Sequence, residues 1–324
     1  MKVVVVGGAG YIGSHTARVL ARHGHELVVF DDLSTGFDVL AKGFPLVRGT
    51  ISDREALAKV LRGAEAVMHF AAFASVGESV QNPRKYFANN IEGGLTLLDA
   101  CLDAGVKKLV FSSTCAVYGV PAVVPITEQT RREPVNPYGV SKLFLERALE
   151  AYSEAYGLRF AALRYFNAAG ADESGEIGEM HDPENHLIPL ALRAARSGSP
   201  LRVFGDDYPT PDGTCIRDYI HVNDLAEAHV LALHHLGESQ KSLAVNLGTG
   251  QGHSVKQIIA EVERVTGRAV PHDIAPRRPG DPPSLVADPS LAERVLRWKA
   301  RYSLHQIVAT AWKWMQNQPL AGRA

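Results

Sequence analysis

Gly7-Gly8-Ala9-Gly10-Tyr11-Ile12-Gly13 follows directly on the apolar run 3–6 and opens a helical pattern over 13–23. A phosphate binds where bare backbone N–H groups and the positive end of a helix converge. Glycines let the chain turn tightly there and let a pyrophosphate approach without Cβ clashes. Such a glycine set is weak alone, but between a strand and a helix it predicts a dinucleotide site. Working outward, the second strand pattern ends at Asp31-Asp32, about 20 residues on, where such folds carry an acidic residue. A carboxylate at that place accepts hydrogen bonds from the adenosine ribose and repels the extra phosphate of NADP. The expected cofactor is therefore NAD; an acidic turn is the plainer alternative.

The first half of the chain continues this alternation. Apolar strand candidates lie at 3–6, 27–30, 66–70, 108–112 and 160–164, without the in/out alternation of a half-exposed sheet. Amphipathic stretches lie between them at 13–23, 52–61, 89–104 and 137–156. The order predicts an α/β fold: a doubly wound, parallel-sheet Rossmann domain. After Asn167 the texture changes, and a long Gly/Asp/Glu/Asn-rich loop spans 168–186. A helix is expected at 187–196, a strand at 201–204, an extended proline-rich loop over 271–289 and a final helix at 304–316, with a frayed tail after Pro319. The predicted organisation is a cofactor domain, 1–167, and a smaller α/β substrate lobe, 168–324, with room for the chain to cross back.

Composition bounds the partners. The chain has 324 residues, two lobes at most by a prior of about 150 residues per domain. Lys plus Arg is 34, Asp plus Glu is 35 and the net charge is -1. This balance argues against nucleic-acid and anionic-membrane surfaces, so binding of any anion must rest on local groups. No apolar run reaches the roughly 20 residues that span a bilayer. The 3–6 run is too short for a signal peptide, and three separated cysteines, Cys101, Cys115 and Cys215, make no disulfide framework. A cytoplasmic enzyme is the expectation.

Tyr138-Gly139-Val140-Ser141-Lys142 stacks a tyrosine and a lysine on one helix face. A free phenol has a pKa of about 10 and is a poor base near neutrality. Bringing it there takes roughly 4 kcal/mol, within reach of nearby cations in a dry pocket. The ammonium one turn away and a positive nicotinamide are the expected cations, and the pair then removes a hydroxyl proton. Ser112-Ser113-Thr114 ends the fourth strand, on the side of a parallel sheet where ligands bind. Strand-end capping is the plainer reading for Ser112 and Ser113.

With these residues in view the sequence resembles the extended short-chain dehydrogenase/reductase superfamily and, within it, the UDP-glucose 4-epimerase family. The resemblance runs from Val3 to about Trp314. It rests on the glycine loop continued by Ser14-His15, Val76-Gly77-Glu78-Ser79, Asn89-Asn90, Ser112-Ser113-Thr114, Tyr138 with Lys142, Arg164-Tyr165-Phe166-Asn167, His186-Leu187-Ile188-Pro189, Arg217-Asp218-Tyr219-Ile220-His221 and Arg278-Pro279-Gly280-Asp281. It implies that Tyr138 takes the proton of the sugar 4-hydroxyl while hydride passes to tightly held NAD. The 4-keto sugar then turns in the site and receives the hydride on its other face. Thr114 holds the 4-oxygen, and Lys142 holds the nicotinamide ribose and tunes Tyr138.

The same resemblance implies a cofactor site of Gly7, Gly10, Tyr11, Ile12 and Gly13; of Asp31, Asp32, Leu33, Ser34, Thr35 and Gly36; of Thr50, Ile51, Phe70, Ala71, Ala72 and Ala74; and of Asn89, Thr114, Tyr138, Lys142 and Phe166. For the UDP-sugar it implies Thr114, Tyr138, Asn167, His186, Leu187, Arg202, Val203, Phe204, Arg217, Arg278, Asp281 and Leu285. Arg217 and Arg278 suit the diphosphate because guanidinium forks match phosphate oxygens; the alternatives are a salt bridge from Arg217 to Asp218 and a solvated Arg278. Thr50 stands where many members have aspartate against adenine, Ala74 where a lysine is common, and His186 where an asparagine is common. Leu285 occupies the position that limits room at carbon 2 of the sugar. Relatives that eliminate water carry an Asp-Glu pair after the catalytic threonine; here Cys115-Ala116 follows. An NAD-binding protein without catalysis would lack Tyr138 or Lys142. No metal is expected: no His-Glu-x-x-His pattern occurs, and His234 and His235 point apart on a helix. The Trp312/Trp314 pair reads as packing and Cys115 as a small buried group. In relatives the helices near 89–104 and 137–156 form a dimer bundle, and Leu143, Leu145, Ala148, Leu149 and Tyr152 suggest surplus apolar surface, so a homodimer is expected.

Overall fold

A computed structural model describes residues 1–278 and 280–318. The expected tail after Pro319 and the proline of the Arg278-Pro279-Gly280-Asp281 motif lie outside the described residues. The chain runs β1 (Lys2–Val6), α1 (Tyr11–Arg22), β2 (Glu26–Asp31), β3 (Leu46–Arg48), α2 (Arg54–Val60), β4 (Ala66–His69), α3 (Val76–Gln81), α4 (Pro83–Tyr86), α5 (Gly94–Asp103), β5 (Lys108–Thr114), α6 (Pro137–Tyr156) and β6 (Arg159–Tyr165). It continues with β7 (Asn167–Ala169), α7 (Leu187–Ser197), β8 (Leu201–Phe204), β9 (Ile216–His221), α8 (Val222–Glu238), β10 (Leu243–Leu247), β11 (Gly252–Ser254), α9 (Val255–Thr266), β12 (His272–Ala275), β13 (Ser284–Leu285), α10 (Ser290–Leu296) and α11 (Leu304–Asn317).

Seven parallel strands form the large sheet in the order β10-β6-β5-β4-β1-β2-β3. The four valines of β1 show why the run lacks alternation. Val3 and Val5 enter one core with Ala17, Leu20 of α1 and Leu225, Leu233 of α8. Val4 and Val6 enter the opposite core with Leu57 of α2, Leu97 of α5 and Leu145 of α6. Both faces of the strand are covered, so both residue parities must be apolar.

The second half of the chain departs from a plain two-lobe division. Helix α8 packs beside α1 under the large sheet, and β10 pairs in parallel with β6, Val245 opposite Leu163. The chain thus returns to the cofactor sheet after leaving it. The 271–289 stretch is more ordered than its six prolines suggested: β12 pairs with β8, and β13 pairs with β9. In the sugar-side lobe α7, α9 and α11 close a separate core around Ile188, Leu192, Ile258 and Val308.

The helix expected over 89–104 begins instead as a π-helical turn, Phe87–Gly93, and becomes α5 at Gly94. Helix α6 begins at Pro137, whose missing N–H suits a first turn, with Asn136 Oδ1 accepting from Gly139 N at 2.9 Å. Gly157 ends it in the left-handed conformation. The apolar surplus of α6 is not where the sequence suggested. Leu145 and Leu149 are core residues, with Ala148 and Tyr152 packed against that core and Leu143 against a neighbouring cluster, whereas Val140, Phe144 and Tyr156 are exposed.

Candidate active site

A single cleft of ≈ 1420 Å³ runs along the carboxyl ends of β1, β4, β5 and β6 and under α7 and β8. This exceeds the roughly 300–1,000 Å³ of most small-ligand pockets and leaves room for two extended ligands.

The glycine loop is at one end. Gly7 (φ +80°) donates its N–H to the Phe30 carbonyl at 2.8 Å, and a Cβ there would stand 2.4 Å from Ala71 N. A Cβ on Gly13 would stand 2.3 Å from the Gly7 carbonyl oxygen. The chain therefore packs backbone against backbone, which only glycine permits. Gly10 caps α1 with no side-chain partner, so the first-turn N–H groups of Tyr11, Ile12 and Gly13 remain as donors toward the cleft. Asp31 holds the loop: Oδ2 accepts from Ala9 N and Oδ1 from Leu33 N, both at 2.9 Å, and burial pushes its carboxyl pKa up. Asp32 is exposed, with Oδ1 accepting from Ser34 N at 2.8 Å. Ser34, Thr35 and Gly36 line the same end of the cleft, but the Leu33 side chain does not. It packs beside Ala9 and Val29 while its backbone stays in the Asp31–Gly36 loop at that end of the cleft.

Thr50, Ile51, Phe70, Ala71, Ala72 and Ala74 also line the cleft, as do Asn89 and Phe166. The uncapped helix end, the cradle that any Cβ would fill and the exposed Asp32 carboxylate together fit an unphosphorylated dinucleotide.

Thr114, Tyr138 and Lys142 meet at the middle of the cleft. Thr114 ends β5, and its Oγ1 accepts from Ala116 N at 3.1 Å. Lys142 is 3% exposed. Its Nζ donates to the Ser112 carbonyl at 2.7 Å and lies 5.9 Å from the Tyr138 ring centroid. Burial lowers the Lys142 pKa to about 7. Burial likewise pushes Tyr138 up to about 12, with the Thr114 hydroxyl opposing the rise and Cys115 adding to it. Desolvation thus dominates at the phenol, and a positive charge brought beside it would act against that rise. Ser112 lines the cleft, whereas Ser113 is buried away from it. The Ser112 hydroxyl bonds the Tyr165 hydroxyl, and Ser113 donates to Glu146 at 2.6 Å.

The sugar-side lobe supplies the other wall through Asn167, His186, Leu187, Arg202, Val203, Phe204, Arg217, Arg278, Asp281 and Leu285. Arg217 pairs with Asp281 across the cleft wall, not with Asp218. Asp218 instead accepts from Thr249 N, Gly250 N and Ala287 N at 2.9, 3.0 and 3.2 Å, tying two loops to β9. The Arg278 guanidinium sits 4.0 Å above the centroid of Phe204.

The family follows from this layout and from comparison with known proteins. A family model described as NAD dependent epimerase/dehydratase family matches residues 3–248. The chain belongs to this family. A UDP-glucose 4-epimerase of Rhizobium meliloti (strain 1021) is 50% identical over 325 residues, covering 99% of this chain and 98% of the relative. The crystal structure of UDP-glucose 4-epimerase from Brucella ovis in complex with NAD superposes with a TM-score of 0.94 at 53% identity, covering 96% of this chain and 97% of that one. The UDP-Glc/GlcNAc 4-epimerase from Campylobacter jejuni superposes at 0.85 with 39% identity, covering 98% and 99%. The enzyme's cofactor is NAD.

Two groups near the reaction centre escaped the sequence reading. Glu146, one turn beyond Lys142 on α6, is buried between Ser113, Arg132 and Arg164, with Arg164 Nε at 2.8 Å. Because it faces away from the cleft, spacing from Lys142 alone did not reveal its partners. The second is a cluster at the rim, Glu179, His181, Glu184 and His186. His186, expected beside the sugar, has its Nδ1 2.8 Å from both Glu179 Oε1 and Glu184 Oε1. Its signal was the pattern Glu-x-His-x-x-Glu-x-His inside the segment read as a loop.

Proposed function

We propose that the enzyme interconverts UDP-glucose and UDP-galactose by inverting carbon 4 of the sugar. The observation that carries this reading is the meeting of Thr114, Tyr138 and Lys142 between the glycine loop and the arginine-lined wall. Bound NAD takes up and returns the hydride of carbon 4 and, when oxidised, brings the positive charge that the buried phenol lacks. The chain's own residues do the rest. Thr114 and Tyr138 hold the 4-oxygen, and Tyr138 accepts its proton and later gives it back. Lys142, itself poised near neutrality, shares that positive field and stays anchored on Ser112. Arg217 and Arg278 hold the diphosphate while the sugar turns, and Asp281 gives up Arg217 in exchange.

The site favours epimerisation over elimination of water. Cys115 stands where elimination needs an acid, and burial pushes its thiol up to about 12, so it neither gives nor takes a proton near neutrality. We assign the enzyme to cytoplasmic galactose metabolism; among the described residues no helix is long and apolar enough to cross a membrane. A homodimer is supported by the exposed Val76, Val80 and Phe87 beside Val140, Phe144 and Tyr156 of α6, and a clean 35.0 kDa species in solution rejects it. The deciding experiment incubates the purified enzyme separately with UDP-glucose, UDP-N-acetylglucosamine and UDP-xylose and identifies products. Conversion of UDP-glucose to UDP-galactose is expected; no inversion of any of the three overturns the reading.

A further inference from the structure

The four rim residues Glu179, His181, Glu184 and His186 occupy the segment between β7 and α7, where the glycine loop meets the sugar-side lobe. One ligand atom from each lies within 4.8 Å of all the others. The Glu179 and Glu184 side chains are only 6% and 2% exposed. Their charges therefore require compensation on the spot. His186 Nδ1 lies 2.8 Å from an oxygen of each carboxylate, and His181 Nδ1 lies 3.4 Å from Glu179 Oε1 and 3.6 Å from Glu184 Oε2. The two imidazoles are 4.7 Å apart, centroid to centroid. The Tyr11 ring edge faces His181, but its hydroxyl is committed to the Gly170 carbonyl at 2.6 Å and does not compete. Trp314 Nε1 donates to the Glu179 carbonyl at 2.9 Å, fixing that end of the segment from α11.

We propose that Glu179, His181, Glu184 and His186 form a binding site for one divalent metal ion of the zinc class. Two imidazole nitrogens and two carboxylates are the donor set such ions prefer. The exchange is balanced in charge. Without metal, the two imidazoles stand against the two buried carboxylates and supply the compensation those charges need. With metal, one dication balances the charge of the two carboxylates, and the imidazoles bind as neutral ligands. Metal–donor bonds of about 2.0–2.2 Å put tetrahedral donors about 3.4 Å apart, so the widest pairs would close by up to about 1.4 Å while His186 Nδ1 would draw back slightly from its two carboxylate partners. The ion would staple Glu179–Glu184–His186 into one loop beside the sugar site. It takes no part in the hydride chemistry, whose residues lie at the middle of the cleft.

The test uses the full-length, tag-free holoenzyme, treated with chelator and then freed of it. Zn2+ is titrated calorimetrically near neutral pH in two buffers of different ionisation enthalpy. One ion is expected per chain. Co2+ as a second probe is expected to give the visible absorption of a four- or five-coordinate site. His181→Ala and Glu179→Gln should each weaken Zn2+ binding at least about tenfold, with circular dichroism confirming that each variant is folded. If Glu179→Gln fails to fold, His181→Ala alone decides. Absence of Zn2+ binding, or binding that His181→Ala leaves unchanged, overturns the proposal.

Discussion

The two walls of the cleft are built by different means. At the cofactor end the backbone makes the shape: Gly7 against Ala71, Gly13 against Gly7, and Asp31 fastening the loop through two N–H groups. At the sugar end charged side chains make it: Arg217 on Asp281, Arg277 on Asp207, and the carboxylate–histidine cluster of 179–186. A wall of backbone is shaped before any ligand arrives and tolerates almost no added atom. A wall of ion pairs is stable alone yet can trade one anion for another, as holding and releasing a nucleotide sugar requires. Tyr138 and Lys142 stand on α6 between the two.

The largest effect is expected at the junction. Tyr138→Phe removes the proton acceptor and should lower kcat by about 10³-fold or more, while NAD remains bound; near-normal turnover would mean that neither wall presents the sugar to this phenol. Next comes the rigid wall. Gly7→Ala places a methyl 2.4 Å from Ala71 N at a positive φ. It should destabilise the fold by about 3 kcal/mol and lower Tm by roughly 4–5 °C. NAD content by absorbance should fall with it; retention of both would erase the contrast drawn here. Arg217→Ala tests the exchangeable wall. Losing charge-assisted contacts of about 1.5–3 kcal/mol should raise the KM for the UDP-sugar by roughly 10- to 100-fold, leave bound NAD unchanged and alter kcat little. A change in NAD content instead would show that the walls are not independent.

The smallest effect is in pH. His181 and His186 have folded-state pKa values above the ordinary imidazole value, held there by Glu179 and Glu184 against the opposing effect of burial. Groups of that sign stabilise fully below about 6.5, and the contribution is lost as pH rises through about 9 to about 10. The His186 side chain is 46% exposed, so solvent screening leaves an effect of about 1 kcal/mol. Thermal melts of wild type and His181→Ala should therefore converge at alkaline pH and differ most near pH 6. A constant gap across that range would detach the cluster from stability.

The rigid wall was legible in sequence because local rules write it. The valine run of β1, the glycine turn and the tyrosine–lysine spacing on α6 each need only a few consecutive residues to be recognised. The exchangeable wall was less so. β13 has two residues and owes its existence to β9, so a proline-rich stretch concealed it. β10 reads as an ordinary short apolar segment, and nothing nearby announces a partner about 80 residues upstream on β6. At Leu33 the sequence did not show that the backbone turns at positive φ beside Asp31 while the side chain points into the packing. The pairing of Arg217 with Asp281 over its sequence neighbour follows from strand geometry, since adjacent residues of β9 point to opposite faces.

The return of β10 to the edge of the large sheet carries an evolutionary and practical consequence. Asn246 on that strand receives the Tyr118 hydroxyl at 2.7 Å and donates to the Ile126 carbonyl at 2.9 Å, knitting late chain into early chain. Sugar recognition cannot be clipped off as a cassette and grafted onto another nucleotide-binding half, because the graft would carry away a rib of the host. A fragment stopping at residue 167 would present β6 as a naked edge, open to pairing with its own copies. New specificities in this architecture must arise by exchanging side chains on a frame inherited whole.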